Sequence, residues 1–242
     1  MLHGTRLLPT LTRTQALPFC HRPNFSITMA DTDAPKMKLY WFPQYRSVRN
    51  IWLIKEMGVE NDFEFIRYKP NDEDNPADVA AYRRDVHPHG TIPALVVPGE
   101  GSVLESGAIN MYLADRYKKL LPEPKYLKDY YDFIMHGNAT LDELIEFFYE
   151  LWFVKTPFSD EKVKKMTDKF DTCMDYLATK LENRAFLCGD KFTAADTVLG
   201  FDLYIAAVFN DGKLLEKHPK IREGYYARLE KRPAFQAAIA MA

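Results

Sequence analysis

Gly90–Ser106 reads GTIPALVVPGEGSVLES, and the fold turns on it. Ala94–Val97 is an apolar run of strand length, Pro98-Gly99-Glu100-Gly101 is a turn, and Ser102–Leu104 is a short partner strand, so the pair forms a hairpin. Pro93 stands at the mouth of the first strand, where a residue without an N–H is tolerated. The second strand runs straight into Glu105 and Ser106. An acid and a hydroxyl there open a helical pattern through Tyr117, with Ile109, Met111, Tyr112 and Leu113 on or near its apolar face.

Upstream, KLYWF (Lys38–Phe42) is an aromatic-rich strand, and Pro43 and Gln44 form a loop. SVRNIWLIKEMG begins at Ser47. Val48, Ile51, Trp52 and Lys55 keep helical spacing, with Ser47 as N-cap and Gly58 as the C-terminal stop. DFEFIRYK (Asp62–Lys69) alternates as a second strand, and a short helix covers Ala77–Arg84. A strand–helix–strand start implies parallel pairing with a right-handed crossover. The whole order, β-α-β-α-β-β-α, is that of a thioredoxin-like domain.

Downstream, residues 119–128 carry Pro122 and Pro124 and read as a linker. From 129 to 242 the pattern is all helical. Tyr130–Phe153 is long and aromatic. Val163, Met166, Phe170, Cys173, Leu177 and Leu181 keep one stripe, and Thr193–Phe209 is apolar enough to be central and buried. The expectation is an α/β thioredoxin-like domain over 37–118 followed by an all-α domain.

The bulk numbers exclude several classes. The chain has 242 residues, 47% hydrophobic and 27% charged, with a formal net charge of −2. That balance points to neither nucleic acid nor a membrane surface as partner, and no apolar run is long enough to span a bilayer. Cys20, Cys173 and Cys188 are too scattered for a dithiol or a structural zinc site, so no metal is expected. Residues 1–36 form a leader. Its first 28 residues hold three arginines, several hydroxyls and no acid. That composition fits an organellar transit peptide, giving a mitochondrial or other organellar address, or an upstream start with Met29 the working one and a cytoplasmic protein.

A thioredoxin-like domain followed by a helical one, in this length, resembles the cytosolic-type glutathione transferases over nearly all of residues 37–235. GTIPAL with LES a hairpin later, KLYWFPQYRSVRNIWLIKEMG, and GDKFTAADTVLGFDL (Gly189–Leu203) carry the resemblance. It implies a cis Pro93 that presents the Ile92 N–H and C=O to the cysteinyl part of glutathione, as an added strand would. It also implies that Glu105 holds the ligand's γ-glutamyl ammonium, while Ser106 and its N–H hold the carboxylate. Thr193 and Asp196 form a capping box, read as a stability element.

A transferase must favour the glutathione thiolate, which calls for a donor near the start of the first helix. The resemblance leaves several candidates there: Tyr45 first, then Ser47, then Tyr40 or Trp41, with Gln44 able to donate through its amide. His89, His87 and Arg49 are candidate cations for the glycyl carboxylate, since Thr91 stands where many relatives have Lys. Phe148, Tyr149, Trp152, Phe153 and Tyr204 are candidate walls for a hydrophobic electrophile. No Cys lies between Lys38 and Tyr117, which argues against a protein mixed disulfide. The expected activity is conjugation of glutathione, the co-substrate, to hydrophobic electrophiles, with reduction of organic peroxides as a possible addition. A non-catalytic binding or scaffold module and a glutathione-dependent isomerase or dehalogenase are the alternatives. A homodimer is implied, with one face of Ile109–Tyr131 at its interface.

Overall fold

A computed structural model describes residues 35–241. All but the last two residues of the expected leader, and with them the question of a start at Met29, lie outside the described residues. Four strands form one sheet in the order β2-β1-β3-β4: β1 (Met37–Trp41), β2 (Phe63–Arg67), β3 (Ala94–Val97) and β4 (Gly101–Val103). β1 and β2 are parallel and joined through α1 (Ser47–Met57); α2 (Pro76–Asp85) leads to β3, which runs antiparallel to both β1 and β4. α3 (Ser106–Tyr117) follows the hairpin. The order is the one read from the sequence, with strand ends shifted by one or two residues.

Opposed residues on neighbouring strands share a face of the sheet. Leu39 lies opposite Leu95, and both join a core with Val48, Ile51, Ile109 and Leu113 from α1 and α3. Tyr40 lies opposite Ala94 and packs with Tyr82 of α2 in a smaller cluster on the other face. The first helix ends where expected, with Gly58 left-handed at φ 65°.

The helical half holds α4 (Leu127–Met135), α5 (Asp142–Tyr149), α6 (Asp160–Lys180), α7 (Ala194–Val208) and the short α8 (Lys213–Glu216), α9 (Ala227–Glu230) and α10 (Pro233–Ile239). The long helix expected over Tyr130–Phe153 is α4 and α5 joined by a π-helical turn, His136–Leu141, and extended by another, Glu150–Val154. Gly137 lies in the first turn. A Cβ there would stand 2.8 Å from a methyl of Val198, so glycine lets this turn lie close against α7.

α7 is buried along most of its length and packs against α1. Trp52 of α1 meets Phe235 of α10 at 4.8 Å between ring centroids. The capping box at the start of α7 is present, and Asp196 also accepts from the Leu187 N–H at 3.0 Å and the Tyr225 hydroxyl at 2.7 Å. Thr193→Ala removes one side of that box. It is expected to cost about 1 kcal/mol and lower Tm by about 3 °C, read by thermal unfolding, with the ligand site untouched.

Candidate functional site

Strand register brings the distant motifs together. Leu95 pairs with Val103, so Pro93, two residues before the one, and Glu105, two residues after the other, lie at the same end of the hairpin. Tyr40 pairs with Ala94, the residue after Pro93, which brings the end of β1 to the same place. The β1–α1 loop, Ile92-Pro93 and Glu105-Ser106 therefore stand in a row at one end of the sheet. The Ile92–Pro93 bond is cis. Neither the N–H nor the C=O of Ile92 has a backbone partner among the described residues. Glu105 is exposed, and its carboxylate carries no hydrogen bond or ion pair among the described residues.

The loop from Phe42 to Ser47 separates its candidates sharply. Ser47 is fully buried. Its hydroxyl donates to the Phe42 carbonyl at 3.1 Å and accepts the Phe42 N–H at 3.2 Å, closing the loop on itself. It is the first residue of α1 and not its cap: Arg46 takes the cap position, in helical conformation. Gln44 is exposed and left-handed at φ 64°. Tyr45 is 46% exposed, its ring edge-on to Phe42 at 5.8 Å. Tyr40 faces the opposite side of the sheet, among Tyr68 and Tyr82. Trp41 is buried, with its indole nitrogen unpartnered among the described residues.

Arg49 is not a ligand cation. It is fully buried and spent on the protein. Nη1 donates to Asn138 Oδ1 at 2.7 Å, Asp142 Oδ2 at 3.1 Å and Ser106 Oγ at 3.1 Å; Nη2 donates to Asp142 Oδ1 at 2.7 Å and to Asp202 Oδ1. Burial alone would depress its guanidinium, but Asp202 and Asp142 outweigh burial and the net shift is upward. The Ser106 hydroxyl leans the same way, accepting from Arg49 and donating to Asn138 Oδ1 at 3.3 Å. Its hydroxyl thus faces inward. Asn50 seals the same layer, donating to the Ser106 carbonyl at 2.8 Å. Sequence reasoning missed this cluster. One signal was present: Asp202 is an acid inside a strongly apolar helix, and a buried acid needs a partner or a proton.

Of the other candidate cations, His87 is buried. Its Nδ1 accepts the His89 N–H at 3.3 Å and its Nε2 meets Thr91 Oγ1 at 3.0 Å. Burial first, then His89, pushes its pKa down, so it is neutral at pH 7. His89 is exposed, 5.7 Å away ring to ring.

The aromatic residues divide too. Phe148 is core, and Trp152 stacks on it at 4.9 Å. Tyr204 packs against Phe201 and Phe235. Tyr149 and Phe153 are exposed and stacked at 5.7 Å, and Phe153 also meets Phe209 at 5.1 Å. Arg46 ties the loop to this helix through Asp142 at 3.0 Å and Glu146 at 3.4 Å, one turn before Tyr149.

Cys173 and Cys188 are free and buried, and burial pushes the Cys188 thiol up to about 12. Neither is a nucleophile at neutral pH. Two concavities of about 380 and 480 Å3, beside His218 and beside Arg222, include none of the row's residues. Among the described residues no group of His, Cys, Asp and Glu gathers as metal ligands would, and no helix is long and apolar enough to cross a membrane.

Two family models match the chain: "Glutathione S-transferase, N-terminal domain" over residues 46–116 and "Glutathione S-transferase, C-terminal domain" over 142–240. The chain belongs to the glutathione S-transferase superfamily. Glutathione S-transferase D7 of Drosophila melanogaster is 29% identical over 217 residues, covering 81% of this chain and 90% of its own. Glutathione S-transferase PM239X14 of Arabidopsis thaliana is 27% identical over 207 residues, covering 80% and 91%. Among solved structures, a superfamily member from Pseudomonas fluorescens with two glutathione bound superposes with a TM-score of 0.74 at 20% identity, over 86% of this chain and 94% of that one. A glutathione transferase from Methylococcus capsulatus gives 0.66 at 26% identity, over 84% and 97%. The superfamily's two-part architecture is the one described above.

Proposed function

We propose that this protein binds glutathione along the row at the sheet's end and transfers its thiolate to hydrophobic electrophiles. The strongest support is the pair of free Ile92 backbone groups beside the unpaired carboxylate of Glu105. An extended peptide adds to such an edge through main-chain bonds. Glu105 then holds the ligand's ammonium, and the first N–H groups of α3 receive its carboxylate. His89 or another cation receives the glycyl end. The sulfur comes to lie at the β1–α1 loop, where the Tyr45 hydroxyl donates to it and stabilises the thiolate. The thiolate attacks an electrophilic carbon, the C–S bond forms, and the leaving group departs with its electron pair. The enzyme supplies orientation and a lowered thiol pKa. Tyr149 and Phe153 offer the apolar wall for the electrophile.

A homodimer fits the surface of α4. Leu127, Tyr131 and Met135 are all exposed and fall on one stripe, which a second copy would cover.

The test is glutathione binding by calorimetry, with the bound thiol titrated by its thiolate absorbance. Binding with a thiol pKa well below the free value is the expected result. Glu105→Gln is expected to weaken Kd about ten- to a hundredfold, as loss of one charge-assisted pair does. Binding without a pKa shift would leave a carrier or scaffold module. That second reading draws on Ser47, whose only proton is committed to Phe42. No binding at all would sink the transferase reading and leave an interaction module.

A further inference from the structure

Two carboxyl groups share one guanidinium in the interior. Asp202 is 1% exposed and Arg49 is fully buried. The Asp202 Oδ1 accepts from Arg49, but Oδ2 finds no donor among the described residues. Arg49 Nη2 donates both to Asp142 Oδ1 and to Asp202 Oδ1, so the two carboxyl groups meet at one nitrogen. Two ionised carboxylates held this close repel each other, and a buried carboxylate oxygen without a donor is strongly unfavourable. A proton on one of them removes both objections. The donors decide which. Asp142 accepts from Arg49 through both oxygens and forms an ion pair with Arg46 as well, so it has the stronger claim on the negative charge.

We infer that Asp202 is carried as the neutral acid, that it donates its proton to Asp142, and that this proton keeps Arg49 available to Ser106. Asp202 is thus a positioning residue for the start of α3; its link to Ser106 rests on glutathione being the ligand proposed above. With Asp202 neutral, the guanidinium balances one carboxylate and its Nη1 can reach Asn138 and Ser106. With Asp202 ionised, a second charge would draw the guanidinium toward α7 and away from them. The charged groups facing Asp202 are Arg49 from α1 and Asp142 from α5, with Arg46 and Glu146 behind Asp142; α3 contributes only neutral Ser106 and Asn110. The pKa directions agree: burial and Asp142 hold Asp202 well above the carboxylate range, while Arg49 and Arg46 overcome burial to hold Asp142 below it.

Asp202→Asn tests this, because an amide supplies an N–H where the acid supplies an O–H. An acid whose folded pKa is raised stabilises the fold less and less as pH climbs from about 4 toward the folded value. Asn suffers no such loss. The Tm of D202N minus that of wild type should therefore rise between pH 4.5 and 9. A flat or falling difference overturns the neutral acid, since an Asp202 already ionised beside Arg49 across this range gives a flat one. The second readout is glutathione Kd at pH 7. D202N should stay within about twofold of wild type, and Asp202→Ala, lacking any donor, should be weaker by about tenfold. If both variants bind as wild type does, or both lose equally, the positioning role is overturned. If wild type itself binds no glutathione, the link to Ser106 falls with the proposed function, and the Tm series still decides the proton.

Discussion

Arg49→Met should unfold at a Tm about 10 °C lower, from a loss of about 3–5 kcal/mol. The side chain is the only fully buried cation among the described residues, and it bonds to Ser106 of α3, Asn138 of the first π turn, Asp142 of α5 and Asp202 of α7. Methionine fills much of the volume but leaves Asp142 with Arg46 alone, which is half exposed and screened by water. Breaking one member of a buried charge group is far costlier than never having built it. Arg49→Lys separates charge from geometry. An ammonium restores the charge but cannot reach four partners in a planar fork, so it should recover only part of the loss. Thermal and urea unfolding read both variants. A Tm within 2 °C of wild type for R49M would mean that Arg46 carries Asp142 unaided, and that the cluster contributes nothing to joining the two halves.

What could be read in the sequence was local. The hairpin, Pro93 at its mouth and the Glu105-Ser106 start of α3 follow from turn chemistry and alternation within seventeen residues. The α7 cap spans four residues, Thr193 to Asp196, and is present in the structure as read. What could not be read joins distant positions. Arg49 meets Asp142 across 93 residues and Asp202 across 153, and no spacing rule reaches so far. The π turns were hidden for another reason. One extra residue in a helical turn changes the phase of an apolar stripe only slightly, and the aromatic richness of 130–153 blurs that phase further. Ser47 shows the limit of a residue-type rule. A serine before a helical pattern reads as an N-cap, but here the hydroxyl spans back five residues to both backbone groups of Phe42. That choice took one candidate thiol donor away, and only coordinates could reveal it.

Tyr45→Phe should cut kcat/KM by about a hundredfold while leaving the fold intact. The ring survives the change, so its edge contact with Phe42 remains. The hydroxyl has no hydrogen-bond partner among the described residues, so its loss leaves nothing buried and unsatisfied, and stability should move by less than about 0.5 kcal/mol. The effect belongs to the sulfur. A hydroxyl that donates to the thiolate and not to the thiol lowers the thiol pKa, and each unit is worth about 1.4 kcal/mol. Y45F should return the bound thiol toward the ordinary value near 8.5 with Kd for glutathione little changed, because Ile92, Glu105 and α3 still hold the peptide. Activity lost at pH 6.5 should then return in part near pH 9, where the thiol ionises without help. Ser47→Ala provides the contrast: it should cost stability by opening the Phe42 loop and leave the bound thiol pKa alone. If instead Y45F keeps its activity and its low thiol pKa, the donor is another group at the same corner. The unpartnered indole nitrogen of Trp41, the last residue of β1, is then the group to replace next.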